Sequence, residues 1–172
     1  MFRWRKDLAT LNANLVGVTM DGRHMGGTAS TTRWSDVVGR PLRSPLRWLA
    51  AATLVASGAV HIPVIPMHLE EAPYIGYLFI ALTAVCFAIA VAVLLVDSVG
   101  VWAAGGVVTA LAVIAFVLSR TVGLPQIADD IGNWTDPLGV AAIAAETVTV
   151  LLAVVALWHA QPLLEPDRSR VR

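Results

Sequence analysis

From Leu46 onward the chain repeats one pattern, a run of apolar positions, a short polar interruption, then another run. A helix needs about 20 apolar residues, rising 1.5 Å each, to cross the hydrocarbon core of a bilayer. Four runs meet that length. Tyr74 to Val96 (YIGYLFIALTAVCFAIAVAVLLV) and Val99 to Ser119 (VGVWAAGGVVTALAVIAFVLS) carry no charge, and Leu138 to Trp158 (LGVAAIAAETVTVLLAVVALW) carries one glutamate, Glu146. Leu46 to Ile65 (LRWLAAATLVASGAVHIPVI) is the least uniform, with Arg47 at one end and His61 near the other. A buried helix of a water-soluble protein rarely runs so far without polar punctuation, and four in a row predict a membrane protein. The expected fold is all-α, a membrane-embedded four-helix bundle with spans at 46–65, 74–96, 99–119 and 138–158. Small residues at four-residue spacing, Ala52/Ala56, Ala84/Ala88/Ala92 and Gly106/Ala110, would let backbones approach closely within it. Asp97-Ser98 is expected to be a bare hairpin connector.

The first 45 residues differ in kind. They are rich in Gly, Thr, Ser and Arg, with DGRHMGGTASTTRWSD at their centre, and LNANLVGV is too short and polar for a signal-peptide core. Residues 1–45 are read as a basic, mostly disordered cytoplasmic tail with a short interfacial helix near Trp34 to Val38, or as sequence upstream of the true start. Residues 161–172 are read as a second cytoplasmic tail.

Charge enters through its distribution. Twelve Lys and Arg balance twelve Asp and Glu, so the sum argues for no nucleic-acid partner. Charged residues make up only 14% of the chain, against about 25% in ordinary soluble domains, and the mean hydropathy is +0.72. Arg3, Arg5, Lys6, Arg23, Arg33, Arg40, Arg43 and Arg47 lie at or before the start of the first span, and Arg168, Arg170 and Arg172 follow the last. The two connections on the other side hold Arg120 alone against Glu70, Glu71, Asp129, Asp130 and Asp136. Basic residues stay cytoplasmic during insertion, so both termini are expected inside, in a multi-pass protein of the plasma (inner) membrane. Trp48, Tyr74, Tyr77, Trp102, Trp134 and Trp158 fall near span ends, as interfacial aromatics do. One cysteine, Cys86, excludes an internal disulfide framework, a CxxC redox motif and a multi-cysteine zinc site. No Gly-rich phosphate loop, GxSxG elbow or HExxH motif occurs.

The candidate chemistry gathers on the outer side. Asp136-Pro137 reads as an N-cap with proline at the first helical position, which puts Glu146 roughly 13 Å below the helix end. A central ionised side chain costs about 2.5–3.5 kcal/mol on insertion scales, so Glu146 should face the bundle interior, be neutral or have a partner. A structural hydrogen bond, with Thr147 or Thr149 near in sequence, stands beside a proton relay, a cation ligand or a substrate pocket. His61 is the natural partner, although a helix ending near Ile65 leaves it only roughly 6 Å deep. Ser57 lies one turn below His61 on the same face. The stretch HIPVIPMHLEEAPYIGY adds Met67, His68, Glu70 and Glu71, and a helix starting near Met67 would put His68 and Glu71 on one face. Imidazole with thioether suits copper, and imidazole with carboxylate suits zinc, iron or manganese. The resulting candidate metal set is His61, His68, Glu71 and Glu146, with Met67 and Glu70 as further donors. The plain alternative is a wet acidic loop. In the longer connection SRTVGLPQIADDIGNWTDPLG, Arg120 is expected to pair with Glu70, Glu71, Asp129 or Asp130, or with lipid phosphate. Trp134 caps that pocket or anchors in the interface.

The segments SGAVHIPVIPMHLEEAPYIGYLF, LSRTVGLP and DPLGVAAIAAETV, with their His-x6-His-x-Glu and SRT-GLP elements, resemble a group of small four-span integral membrane proteins from actinobacteria over residues 48–160. The resemblance implies topology and carries no activity. The preferred functional expectation is a binding or accessory membrane protein with an outward polar site for a transition metal, copper or zinc, or a small polar ligand. The alternatives are an intramembrane metal-dependent enzyme, a transport subunit, or a structural subunit of a homo-oligomer or larger complex in the bilayer. His61 and His159 lie at opposite sides, too far apart to sandwich a haem, and a quinone-dependent thiol oxidoreductase would need cysteine pairs.

Overall fold

In lipid every backbone N–H and C=O must be paired within the protein, and an α-helix does so within its own segment. A computed structural model describes residues 38–164 of the chain; the expectations for residues 1–37 and for 165–172 lie outside the described residues. The described residues form α1 (Arg47–His61), α2 (Ile65–Glu71), α3 (Pro73–Leu95), α4 (Val99–Thr121) and α5 (Pro137–Leu164), with 3₁₀ turns at Ile62–Val64 and Ala128–Asp130. No strand occurs among them, only the isolated bridges Pro41 to Ser98 and Leu124 to Ile127. Four helical rods, Arg47–Glu71, Pro73–Leu95, Val99–Thr121 and Pro137–Ala160, are long and apolar enough to cross a membrane.

The first rod differs from the expectation of a span ending near Ile65 and a loop beyond it. Pro63 and Pro66 each fall in the first two positions of a new helical segment, Ile62–Val64 and Ile65–Glu71. There the missing N–H removes no intrahelical bond, and Ile62 and Ile65 keep right-handed helical backbone angles. The chain therefore stays helical for 25 residues. It breaks at Ala72, whose extended backbone (φ −144°, ψ 82°) is what a residue before proline favours, and Pro73 starts α3.

The other boundaries have local causes. The Ser98 hydroxyl accepts from Val101 N at 3.5 Å to cap α4, and the Asp136 carboxylate accepts from Gly139 N at 2.6 Å to cap α5. Gly123, at φ +78°, closes α4 by donating its N–H to Leu118 O at 3.0 Å, the left-handed ending that costs glycine least.

The helices pack as an antiparallel square. α1 lies extensively against α3 and α5, α4 against α5, and α3 touches α4 over a smaller area. The core consists of Ala50, Ala51, Leu54, Cys86, Ala90, Val93, Trp102, Ala153 and Ala156. Its abundance of alanine brings backbones close, as expected where lipid gives no hydrophobic drive for helices to associate. The small residues in contact are not all those expected from spacing. Ala52, Ala56, Ala84 and Ala88 are exposed, whereas Ser57 and Gly58 face inward, and a methyl group on Gly106 would lie 2.9 Å from Ala153 Cβ. Large apolar side chains, Leu78, Leu95, Val107, Leu111 and Leu151 among them, cover the outside; bilayer contact accounts for them, since a water-facing surface rarely carries so much apolar area.

Asp97 does more than join two helices. It is buried, with its backbone in the left-handed region at φ 43°. Its carboxylate accepts from Ser44 N at 2.8 Å and from Trp102 Nε1 at 2.7 Å. Its carbonyl accepts from Leu42 N at 2.8 Å, and Val99 N donates to Arg40 O at 3.1 Å. The segment Arg40 to Ser44, expected to belong to the tail, is thereby seated on the α3–α4 turn. This is the basic end of the bundle; the opposite, acidic end carries Glu70, Glu71, Asp129, Asp130 and Asp136.

Candidate functional site

The continued helix explains how His61 reaches Glu146. Ten residues separate His61 from Glu71, the last residue of the rod, so His61 lies about 15 Å along it rather than at its tip. That depth matches Glu146 on α5, and no exceptional tilt is needed. Glu146 is 1% exposed. Ser57, fully buried one turn before His61, donates its hydroxyl to Glu146 Oε1 at 3.3 Å. The His61 Nδ1–H donates to Ser57 O at 2.7 Å. Because a carbonyl only accepts, Nδ1 holds the proton and Nε2 is the ring nitrogen turned to the carboxylate. Nε2 lies 3.9 Å from Glu146 Oε1, beyond hydrogen-bond range and close enough for one small group to bridge.

Neighbouring elements complete the surroundings. Cys86 on α3 is fully buried with Sγ 3.9 Å from Ser57 Oγ. Phe79 covers the acidic-end side of His61, ring centroids 4.8 Å apart. Thr83 Oγ1 donates to Gly58 O at 3.2 Å and ties α3 to α1. One turn from Ser57 towards the basic end, Thr149 Oγ1 donates to Thr53 Oγ1 at 2.8 Å. Cys86 and Thr53 were not legible as site residues, since a lone thiol or hydroxyl in an apolar run has no spacing signature; only their facing of Ser57 and Thr149 marks them.

The other residues expected at a metal site do not join this group. His68 donates Nδ1–H to Val64 O at 2.8 Å and sets its ring edge-on to Phe79, centroids 5.0 Å apart. Met67, Glu70 and Glu71 are exposed. Among the described residues, no group of three or more His, Cys, Asp or Glu side chains is placed to hold a metal ion. The set His61, His68, Glu71 and Glu146 thus contributes one close pair: His61 and His68 flank the same Phe79 ring, and the helical course of residues 61–71 carries His68 and Glu71 further along the rod, away from Glu146.

A second polar group forms over the end of α4. Arg120 is 8% exposed; of the acids in range it pairs with Asp130, bonding both the side-chain Oδ1 and, at 3.4 Å, the main-chain oxygen. Its guanidinium lies 4.9 Å from the Phe116 ring centroid, and Trp134 packs edge-on against Phe116 at 6.2 Å. Gly132 N donates to Arg120 O at 2.9 Å. Asp129 is exposed. Tyr74 OH donates to Pro125 O at 2.6 Å, and Ala72, Ile75 and Ile127 make a small apolar core under the loop. Arg120 thus folds the α4–α5 connection down, and shares no hydrogen bond or ion pair with the His61–Glu146 group.

Compared with family models, curated proteins and solved structures, the chain matches none.

Proposed function

We propose that this multi-pass membrane protein has a binding or accessory role, and that its site is the interior group His61, Ser57 and Glu146, which takes a small polar ligand. One observation carries the reading: a buried imidazole nitrogen and a buried carboxylate oxygen held 3.9 Å apart, with Ser57 fixing both, through its hydroxyl to Glu146 and its carbonyl to His61. Ionisable groups inside a bundle are costly and tend to mark pathways or ligand sites. A ligand that gives Glu146 a hydrogen bond and meets His61 Nε2 fits that spacing. A transition metal such as copper or zinc would find two protein donors there, fewer than the three or four that stable zinc sites use. The charge distribution supports cytoplasmic termini, with the acidic end outward.

The test is thermal unfolding of the detergent-purified protein with a panel of small amines, diols and divalent metals, beside His61→Ala and Glu146→Gln. Stabilisation by a polar small molecule, lost in both variants, is expected. Near-stoichiometric copper or zinc in the wild type that disappears from both variants would replace this reading with a metal site. No response to any compound would leave the group a purely structural polar lock.

A further inference from the structure

A concavity lies at the basic end, between the segment leading into α1 and the last turns of α5. It has a volume of about 400 Å³, with Leu42, Leu46, Val155 and Ala156 along its walls and Arg43 and His159 at its polar part. Ligand pockets run from about 300 to 1,000 Å³, so it has room for part of an acyl chain and not for a whole lipid. No acid lines it among the described residues; Asp97, on the turn that seats this segment, is buried and occupied by Ser44 and Trp102.

Arg43 is presented in an unusual way. Its backbone is left-handed at φ 52°, a conformation that costs a non-glycine residue energy and persists only where its surroundings impose it. The imposition is visible: Leu42 N and Ser44 N, on either side of Arg43, both donate to Asp97 at 2.8 Å. The side chain between these two pinned neighbours is exposed, while Leu42 beside it packs against the core, so seating the segment leaves Arg43 turned outward. His159, also exposed, donates Nδ1–H to Val155 O at 2.8 Å. Its Nε2 has no hydrogen-bond partner among the described residues, and an imidazolium N–H there would donate to an anion. An apolar wall within a membrane-spanning bundle, ending in a fixed cation and an imidazole at the bundle's end, complements a lipid with an anionic headgroup.

We propose that this groove is a site for an anionic phospholipid, one acyl chain lying along Leu42, Leu46, Val155 and Ala156 and the phosphate held by Arg43 and His159. The site is separate from the His61–Glu146 group and stands whichever way the protein faces in its membrane.

The experiment uses the full-length protein in neutral detergent, titrated with phosphatidylglycerol and phosphatidylcholine of equal chain length, bound lipid being counted by native mass spectrometry. One phosphatidylglycerol should be retained in preference to phosphatidylcholine. Arg43→Gln should weaken it on the order of fivefold, the effect of one basic residue at an anionic surface, and leave phosphatidylcholine unchanged. Arg47→Gln is the control, since that guanidinium lies over Trp48 at 5.7 Å and outside the groove lining; it should have a much smaller effect. Val155→Trp, at an exposed wall position, should weaken both lipids. Equal retention of the two lipids, or equal losses in Arg43→Gln and Arg47→Gln, would overturn the proposal in favour of a diffuse basic surface. Displacement of the lipid by inorganic phosphate alone would overturn the role of the apolar wall. Arg43→Gln alters only an exposed side chain, so the proposal can fail on that variant whether or not Val155→Trp folds.

Discussion

Glu146, His61 and Ser57 form a chain in which Ser57 is shared, its hydroxyl on Glu146 and its carbonyl on His61. Interhelical side-chain hydrogen bonds in membrane proteins average about 0.6 kcal/mol and reach about 1.7. Ser57→Ala keeps the carbonyl and loses only the hydroxyl, so unfolding in detergent should show a loss of about 0.6–1.7 kcal/mol. His68→Ala removes a ring whose one polar bond is to its own helix, and should leave any response to ligands at the interior site as in the wild type. A His68→Ala variant that abolished ligand stabilisation would show that His68 belongs to the site after all. The contrast matters because the two histidines look equivalent in HIPVIPMHLEEAPYIGY. Seven positions apart, they are separated by the 3₁₀ segment, and only His61 faces α5.

At the scale of elements, the α3–α4 turn carries an unexpected share of the organisation. Asp97 supplies one main-chain and two side-chain acceptors while its own backbone is left-handed. Asp97→Ala removes both side-chain acceptors, leaves the Trp102 and Ser44 donors unpaired, and puts a residue with a poor left-handed propensity there. A loss of roughly 3–6 kcal/mol is expected, summing two hydrogen bonds to a charged group at about 1.5–3 each, with limited proteolysis opening around residues 40–46. Asp97→Asn keeps one acceptor oxygen and tolerates the backbone, so it should lose less than half as much and resist the protease. Equal sensitivity of the two variants would mean that the carboxylate does not hold the segment. Prolines at 63 and 66 illustrate the same dependence on context. Within an established helix they would break it; at the first positions of successive short segments they extend the rod by a further 10 residues to Glu71.

For the molecule as a whole, an even number of spans puts the Arg40–Ser44 segment and the far end of α5 together, an arrangement also seen in the groove they share. If the basic end is cytoplasmic, a cysteine introduced at exposed Gln126 should react with a membrane-impermeant maleimide added to intact cells, and one at exposed Arg43 should react only after lysis. Native Cys86 is fully buried and should stay silent in both. The opposite pattern would reverse the orientation.

The number of spans, their approximate limits and the polarity of the two ends are properties of the sequence itself. A helix that crosses a bilayer must be long and apolar with its backbone bonds closed locally, and that demand is written in uninterrupted runs such as Tyr74 to Val96. The cap at Asp136-Pro137 is equally local and is seen in the Gly139 hydrogen bond. Which polar residues meet was decided only by the tertiary structure. His61 reaches Glu146 because the helix runs on past it and sets its depth, His68 stops at the far side of Phe79 because it lies seven residues further along the rod, and Arg120 takes Asp130 because the loop folds over α4. Depth and rotation of a helix depend on its packing partners, and the spacing of residues along the chain carries no record of either.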